Sequence, residues 1–539
     1  MANGALRRNA PLIAIVALAL TLKIALLAAG VVPFNSDEAI VALMARHILQ
    51  GERPAFFYGQ AYMGSLDAFL IAGAFALMGE SVMAVRFVQA VLFLAALLTA
   101  YGVALRFTGS RRVATLTALL FALPPVLLTL YTTATLGGYG EAMLMGHLLL
   151  WWGHRLGHED MSRKRLWLAW GFVGGLGFWA FGLTLVYLVP IALGLGWRLR
   201  KVALQSSAAI ILAASGFAIG SLPWWLGNLG SVDVALQELF GSAIKSTATA
   251  GSLTGNVGMR VFNFVILGLP ALFGLRFPWS IQGPPLWLAA PTLALYLGAL
   301  GYALRFVTSR SDESPRWHGQ LLLWGVGATL FLGFALTPFG GDPSGRYFLP
   351  LYLPLFIFTA QALASLWERI GRWAWVLLGI VLAFNLIGTA QAALKNPPGI
   401  TTQFEEITQV DHRYDAELIR FLRERGETRG YGNYWVAYPI AFLSSEDIIL
   451  VPHLPYKADL RYTSRDDRYP PYTQVVEQAA NVVYVTTNHP KLDALLREGF
   501  ARLGVTYRET QIGSYHVFHD LSRRVSPPDV LPSSMTENG

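Results

Sequence analysis

The sequence predicts a polytopic α-helical membrane protein with a small C-terminal α/β soluble domain, on three observations. Its 539 residues are 54% hydrophobic and only 14% charged, outside the range of soluble globular chains. Apolar runs of roughly 20 residues, enough to cross about 30 Å of hydrocarbon, recur between residues 11 and 394. The charge then changes sign along the chain, with 25 basic to 14 acidic residues over 1–394 but 16 to 19 over 395–539.

Basic clusters set the orientation. Arg7-Arg8, Arg106 with Arg111-Arg112, Arg155 with Arg163-Lys164-Arg165, Arg198-Arg200-Lys201, Arg305 with Arg310 and Arg316, and Arg369 with Arg372 belong in the cytoplasm by the positive-inside bias. Spans then run near 11–31, 83–107, 113–131, 138–154, 166–180, 182–197, 203–225, 286–306, 319–338, 347–366 and 373–394. That makes about eleven crossings of the cytoplasmic (inner) membrane, N-terminus inside and C-terminal domain outside. The first resembles a signal peptide but lacks a small-residue cleavage site, so it is read as a retained helix. Residues 258–275 are apolar enough to cross, yet a twelfth crossing would move Arg305 to Arg316 outside. The segment is therefore read as a re-entrant or interfacial helix interrupted at Pro270. The glycines of GFVGGLGFWAFG, residues 171–182, read as close helix packing and not as a nucleotide cradle.

The first external loop, 32–82, carries two helical stretches, 37–50 and 64–78, that are expected to lie along the interface. The second, 226–257, is rich in Gly, Ser and Thr and is expected to be mobile. After Asn396-Pro397-Pro398, helical runs at 412–425, 472–480 and 490–500 alternate with β-type runs at 447–450, 481–487, 505–512 and 514–520, the pattern of a small α/β layer. The domains are then 1–394 in the membrane, 395–521 outside it, and a disordered tail at 522–539.

Several chemistries are absent. No cysteine is present, so disulfides and thiolate sites are excluded. The basic surplus lies in the membrane half, where it suits anionic lipid, and no soluble module concentrates it as nucleic-acid binding would require. No Walker loop supplies an ATP motor. The histidines are scattered, and a divalent cation held by a carboxylate pair is left open.

The residues that could carry chemistry begin with Asp37-Glu38, directly after the first span. Helix capping explains them at least as well as catalysis, since Asn35 or Ser36 is a good N-cap and Glu38 fits a capping box. Their place at the edge of the hydrocarbon, under the loop FFYGQAYMGSLD with Tyr58, Gln60 and Tyr62, favours a general base. Those loop side chains suit either headgroup anchoring or a sugar site. Arg86 and Arg346, the latter followed by Tyr347, stand at external span ends; each alone reads as a snorkelling cation, and a phosphate would explain both. Glu141, near the start of the fourth span, needs a partner or a polar cavity, so an arginine and a substrate are equal candidates.

Together these features resemble the GT-C type integral-membrane glycosyltransferases that use polyprenyl-phosphate sugars, above all the bacterial relatives of protein O-mannosyltransferases and of the lipid A aminoarabinose transferase. The likeness rests on Asp37-Glu38 after the first span, GESVMAVRFVQAV entering the second, SLPWW at 221–225, RYFLPLYLP at 346–354, and an extracytoplasmic C-terminal domain. It implies Asp37 as catalytic base supported by Glu38, a polyprenyl-phosphate sugar donor, a hydroxyl acceptor of unknown kind, and inverting transfer at the outer face of the membrane. Relatives often carry a proline pair with a preceding lysine or histidine in the first loop; here YGQAYMGSLDA stands instead, which leaves Arg86 and Arg346 as the phosphate candidates. The rival expectation is a transporter or lipid-linked sugar flippase, with Glu141 and the arginines as a conducting path.

Overall fold

The computed structural model describes residues 2–159, 162–200, 203–230, 253–280, 283–309, 314–395, 399–403 and 409–532. Most of the second external loop, the Asn396-Pro397-Pro398 junction and residues 533–539 lie outside them. Two compact units share the chain. One comprises Met1–Ala29, Ala61–Asp67 and Arg86–Ala392, the other Gly30–Gln60, Ala68–Val85 and Ala393–Gly539. The sequence reading drew its boundary at residue 395, whereas by compactness most of the first loop belongs with the C-terminal segment.

The first unit is helical, as its apolar runs require. Among the described residues, seven helices are long and apolar enough to cross a membrane, namely Asn9–Ala28, Val82–Thr108, Gly182–Leu199, Trp287–Ser309, Pro315–Leu336, Arg346–Ile370 and Trp373–Leu394. The four other expected spans are helical but shorter, broken or more polar. The one expected at 113–131 splits into Arg111–Ala122 and Val126–Tyr131, because Pro124 and Pro125 donate no N–H and push the residue before them out of the helical region. Between Leu253 and Leu272 the helix widens over Asn263–Gly268, where the Leu269 N–H reaches back to the Phe264 carbonyl. That slip to a wider turn falls just before Pro270, which cannot donate the ordinary bond.

The glycine-rich helix Lys164–Ala180 packs backbone to backbone against Ala203–Gly220. A Cβ at Gly171, Gly175, Gly216 or Gly220 would strike the carbonyl of Ala213, Phe217, Leu168 or Phe172. A carbonyl cannot rotate away as a side-chain tip can, so Gly171→Val is expected to cost at least the roughly 1–3 kcal/mol of ordinary overpacking. Gly196→Ala, whose Cβ meets nothing within 4 Å, is expected to leave stability unchanged. Thermal unfolding of the two variants in detergent checks the contrast.

The second unit is built on a five-stranded sheet in the order β2-β1-β3-β5-β4. Its strands are β1 Arg429–Tyr431, β2 Ile449–Val451, β3 Val483–Thr487, β4 Arg508–Ile512 and β5 Tyr515–His519. β1 runs parallel to β2 and β3, and β5 is antiparallel to β3 and β4. A two-residue turn at Gly513-Ser514 joins β4 to β5, with Gly513 at φ 56°, a geometry that glycine adopts without strain. The helices Asp415–Arg425, Pro470–Glu477 and Pro490–Arg502 stand where the apolar periodicity placed them.

Two elements of this unit were not anticipated. β1 is three residues long, too short for an alternating pattern to show. The helix Tyr434–Leu443, YWVAYPIAFL, is apolar on all sides and contains Pro439, so no face announces itself. It packs on the first-loop helix Ser36–Leu49, with Phe442 set between Phe34 and Phe75 at ring distances of 5.4 and 6.1 Å. The tail is also more ordered than expected through residue 532. Ser526 and Asp529 form a capping box on Pro527–Val530, Val530 and Leu531 are buried, and the Tyr484 hydroxyl donates to the Val525 carbonyl at 2.9 Å. Burial of these few apolar residues outweighs the Pro- and Ser-rich composition that predicted disorder.

Candidate active site

In the second unit the site starts from a helix cap. Asn35 has extended backbone angles, φ −111° and ψ 179°, and its side-chain oxygen accepts from the Glu38 N–H. This starts the helix Ser36–Leu49 with Asp37 in its first turn, near the positive end of the helix dipole. The cap oxygen comes from Asn35, which leaves the Asp37 carboxylate for other partners. Glu38 is fully buried, whereas Asp37 is half-buried.

Both oxygens of Asp37 are held. Oδ1 accepts from the Tyr434 hydroxyl at 2.6 Å and Oδ2 from the Thr402 hydroxyl at 2.9 Å. Asn35 Nδ2 donates to Thr402 Oγ1 at 2.7 Å, and the Ser36 hydroxyl donates to the Tyr434 carbonyl, so the donors are themselves fixed. Burial first, and then the Asp37 charge, push the Tyr434 phenol well above its ordinary value, which keeps it a donor. Among the described residues no three or more His, Cys, Asp or Glu side chains group as metal ligands.

A second carboxyl, Asp466, stands close enough to feel the charge of Asp37. Burial pushes it up to about 7, with Asp37 adding to the rise and Arg468 and Lys457 opposing it. The Arg468 guanidinium lies 5.8 Å from the Tyr434 ring centre, and its backbone N–H donates to Tyr438, whose hydroxyl donates to the Asp466 carbonyl. A raised folded-state value means the native protein keeps a proton that the unfolded chain has released. Stability from this group is thus whole below the ordinary value of 3.8 and declines as pH rises through about 7. Asp466→Asn is expected to be increasingly more stable than wild type across that window, with a constant difference above it; melting curves at several pH values test this.

The far end of the same helix is pinned by a separate network. Arg46 bonds Glu80 at 2.7 Å and Glu446 at 3.2 Å, while His47 meets Glu446 at 3.0 Å and the Tyr58 hydroxyl at 2.9 Å. Burial would raise Glu446, but hydrogen bonds from His47, Tyr472 and Arg46 hold it down at about 2. Tyr58 donates to Glu52 at 2.5 Å and stacks on Tyr469 at 4.7 Å. Ten residues separate Asp37 from His47, about 15 Å of helical rise. Tyr58 is thus a strut at the helix's other end. Gln60 Oε1 is buried with no hydrogen-bond partner among the described residues.

The first unit carries the remaining candidates. Arg346 pairs with Asp342 at 2.5 Å, and 38% of its side chain stays accessible; its guanidinium lies 5.1 Å from the ring centre of Tyr347. Tyr347 and Tyr62 line an apolar cavity of about 260 Å³ with Phe181, Phe334 and Phe339. Arg86 is buried, and its charge acts on Lys23, whose ammonium donates to the Thr132 carbonyl and to the Thr132 and Thr133 hydroxyls at 2.6–2.9 Å. Glu141 is buried against Asp67, not against an arginine, and the two carboxyls repel when both are charged. Asp67 also accepts from Gln89 Nε2 at 3.0 Å and from the Thr135 hydroxyl.

Sequence reasoning missed Thr402, Tyr434, Asp466 and Arg468, which carried no local signal. It also passed over Lys23, whose signal was plain, a lone lysine inside an apolar span.

The membrane-length helices and the small C-terminal sheet, with the structural matches that follow, define a multi-pass membrane protein of the GT-C fold. Crystal structures of ArnT from Cupriavidus metallidurans match it at 14% identity, with a TM-score of 0.58 for the form bound to undecaprenyl phosphate and 0.52 for the apo form. The first covers 95% of this chain and 98% of ArnT, the second 93% and 97%. The oligosaccharyltransferase of Archaeoglobus fulgidus in complex with Zn and sulfate matches with a TM-score of 0.50 at 13% identity, over 95% of this chain and 73% of its own. No family model matches the sequence, and no curated protein matches it.

Proposed function

We propose that this chain is an inverting glycosyltransferase that moves a sugar from a polyprenyl-phosphate donor to an acceptor hydroxyl at the outer face of the cytoplasmic membrane. The observation that carries the reading is Asp37, a carboxylate oriented through both oxygens by Tyr434 and Thr402 in a chain of the GT-C fold. Asp37 takes the acceptor proton as the hydroxyl oxygen bonds to the anomeric carbon. The bond from that carbon to the phosphate oxygen breaks, and polyprenyl phosphate leaves from the opposite face. Arg346, which keeps 38% of its side chain accessible, and Arg86 are the first unit's phosphate candidates, guanidinium groups of the kind that neutralise a departing phosphate. The apolar cavity beside Tyr347 suits a lipid tail.

A transporter remains the second reading, favoured by the buried polar groups Lys23, Asp67 and Glu141 within the helical unit. Proteoliposomes loaded with labelled polyprenyl-phosphate sugars separate the two. The enzyme releases free polyprenyl phosphate when an acceptor is supplied, whereas a transporter moves the label across the bilayer uncleaved. No release with any acceptor extract would overturn the proposal.

A further inference from the structure

The helices that carry Arg86 and Glu141 near their starts carry a second polar cluster at their other ends. Arg106 lies 20 residues beyond Arg86 in Val82–Thr108, about 30 Å along the axis. His154 and His158 close the helix Tyr139–His158. Here an open cavity of about 560 Å³ is lined by Arg106, His154, His158, Glu159, Phe306 and Arg316. Nothing in the proposed transfer reaction uses it.

Its charge is lopsided. Glu159 is shared by Arg106 and by Arg155, the latter at 2.8 Å, and Arg198 lies 3.2 Å from His318 in the adjoining wall. Arg316 has no ion-pair partner among the described residues, and its guanidinium passes over Gly109, where a Cβ would sit 2.9 Å from Nη2. The histidines are held in place. His154 accepts from Arg106 Nε at 3.2 Å, bonds the Pro315 carbonyl at 2.7 Å and stacks on His158 at 4.1 Å. His158 spends Nδ1 on the His154 carbonyl at 2.8 Å, and its Nε2 is buried with no partner among the described residues. Among the described residues, one carboxylate stands among four arginines beside an unmatched ring nitrogen, the complement of an anion with several oxygens.

We propose that this cavity binds a phosphate group, from a membrane lipid headgroup or from free phosphate. Arg106 and Arg316 supply charge-assisted bonds, and His158 Nε2 meets a phosphate oxygen once a proton lies between them. Phe306 offers an apolar wall to a lipid's first methylenes. The site is independent of the donor site proposed above.

The test uses the full-length protein in detergent carrying Arg346→Ala, so that the donor site does not contribute. Inorganic phosphate is titrated calorimetrically, and retention of phosphatidic acid against phosphatidylcholine is read by native mass spectrometry. Saturable phosphate binding that weakens about tenfold with Arg316→Gln identifies free phosphate as the source. Selective retention of phosphatidic acid, lost in the same variant, identifies a headgroup. His158→Phe is expected to weaken either without moving the melting point. Binding of neither ligand, or binding that both variants leave unchanged, overturns the proposal.

Discussion

Asp37→Asn is expected to leave a folded protein that transfers sugar about 10²- to 10⁴-fold more slowly, the usual loss when a general base is removed. The substitution keeps the shape of the side chain, and an amide oxygen can still accept from Tyr434. Only the capacity to take a proton is lost. The deficit should therefore appear in kcat, with KM for the lipid donor within a few-fold of wild type. Tyr434→Phe and Thr402→Val keep the carboxylate and remove one orienting bond each, so about a tenfold loss is expected of either. Equal transfer by wild type and Asp37→Asn, measured with labelled donors in proteoliposomes, would falsify the assignment of the base.

Arg346→Ala is expected to act on the other parameter. Loss of a charge-assisted bond to phosphate is worth roughly 1.5–3 kcal/mol, so donor affinity should fall about 10- to 100-fold. Arg346→Lys should recover only part of it, because an ammonium lacks the planar fork that grips two phosphate oxygens. The existing pair with Asp342 shows that the guanidinium can be held in place while more than a third of the side chain stays open. Direct measurement of polyprenyl-phosphate binding to the two variants decides the matter. Unaltered affinity in Arg346→Ala would remove the phosphate role.

Much of the helical unit could be read in advance, because a run of apolar residues between basic clusters has few other fates. The Asn35 cap and the glycine seam at 171–182 were also legible, each being a local rule with a local signature. The setting of Asp37 was not. Its partners Thr402 and Tyr434 lie 365 and 397 residues away, and nothing in TTQF or GNYWVAYP marks a hydroxyl as aimed at a carboxylate. The setting of Tyr58 was equally hidden: a loop tyrosine suits headgroup anchoring or a sugar, and nothing local announced that its hydroxyl and ring would meet Glu52, His47 and Tyr469. For Glu141 the sequence left an arginine and a substrate as equal candidates, and could not show that the neighbouring charged side chain is another acid, Asp67.

The long span between Asp37 and its hydroxyl donors bears on how the protein is made. Asp37, the proposed base, leaves the ribosome first, and at about 5–20 residues per second the segment bearing Thr402 follows roughly half a minute later. Until then the nascent chain is threaded into the bilayer with an unoriented acid. Activity should thus be acquired only once Thr402 and Tyr434 have both emerged and bonded to Asp37. A truncated product ending at the last span should insert yet stay inert, unless the missing C-terminal piece, supplied as a separate polypeptide, can dock and complement it.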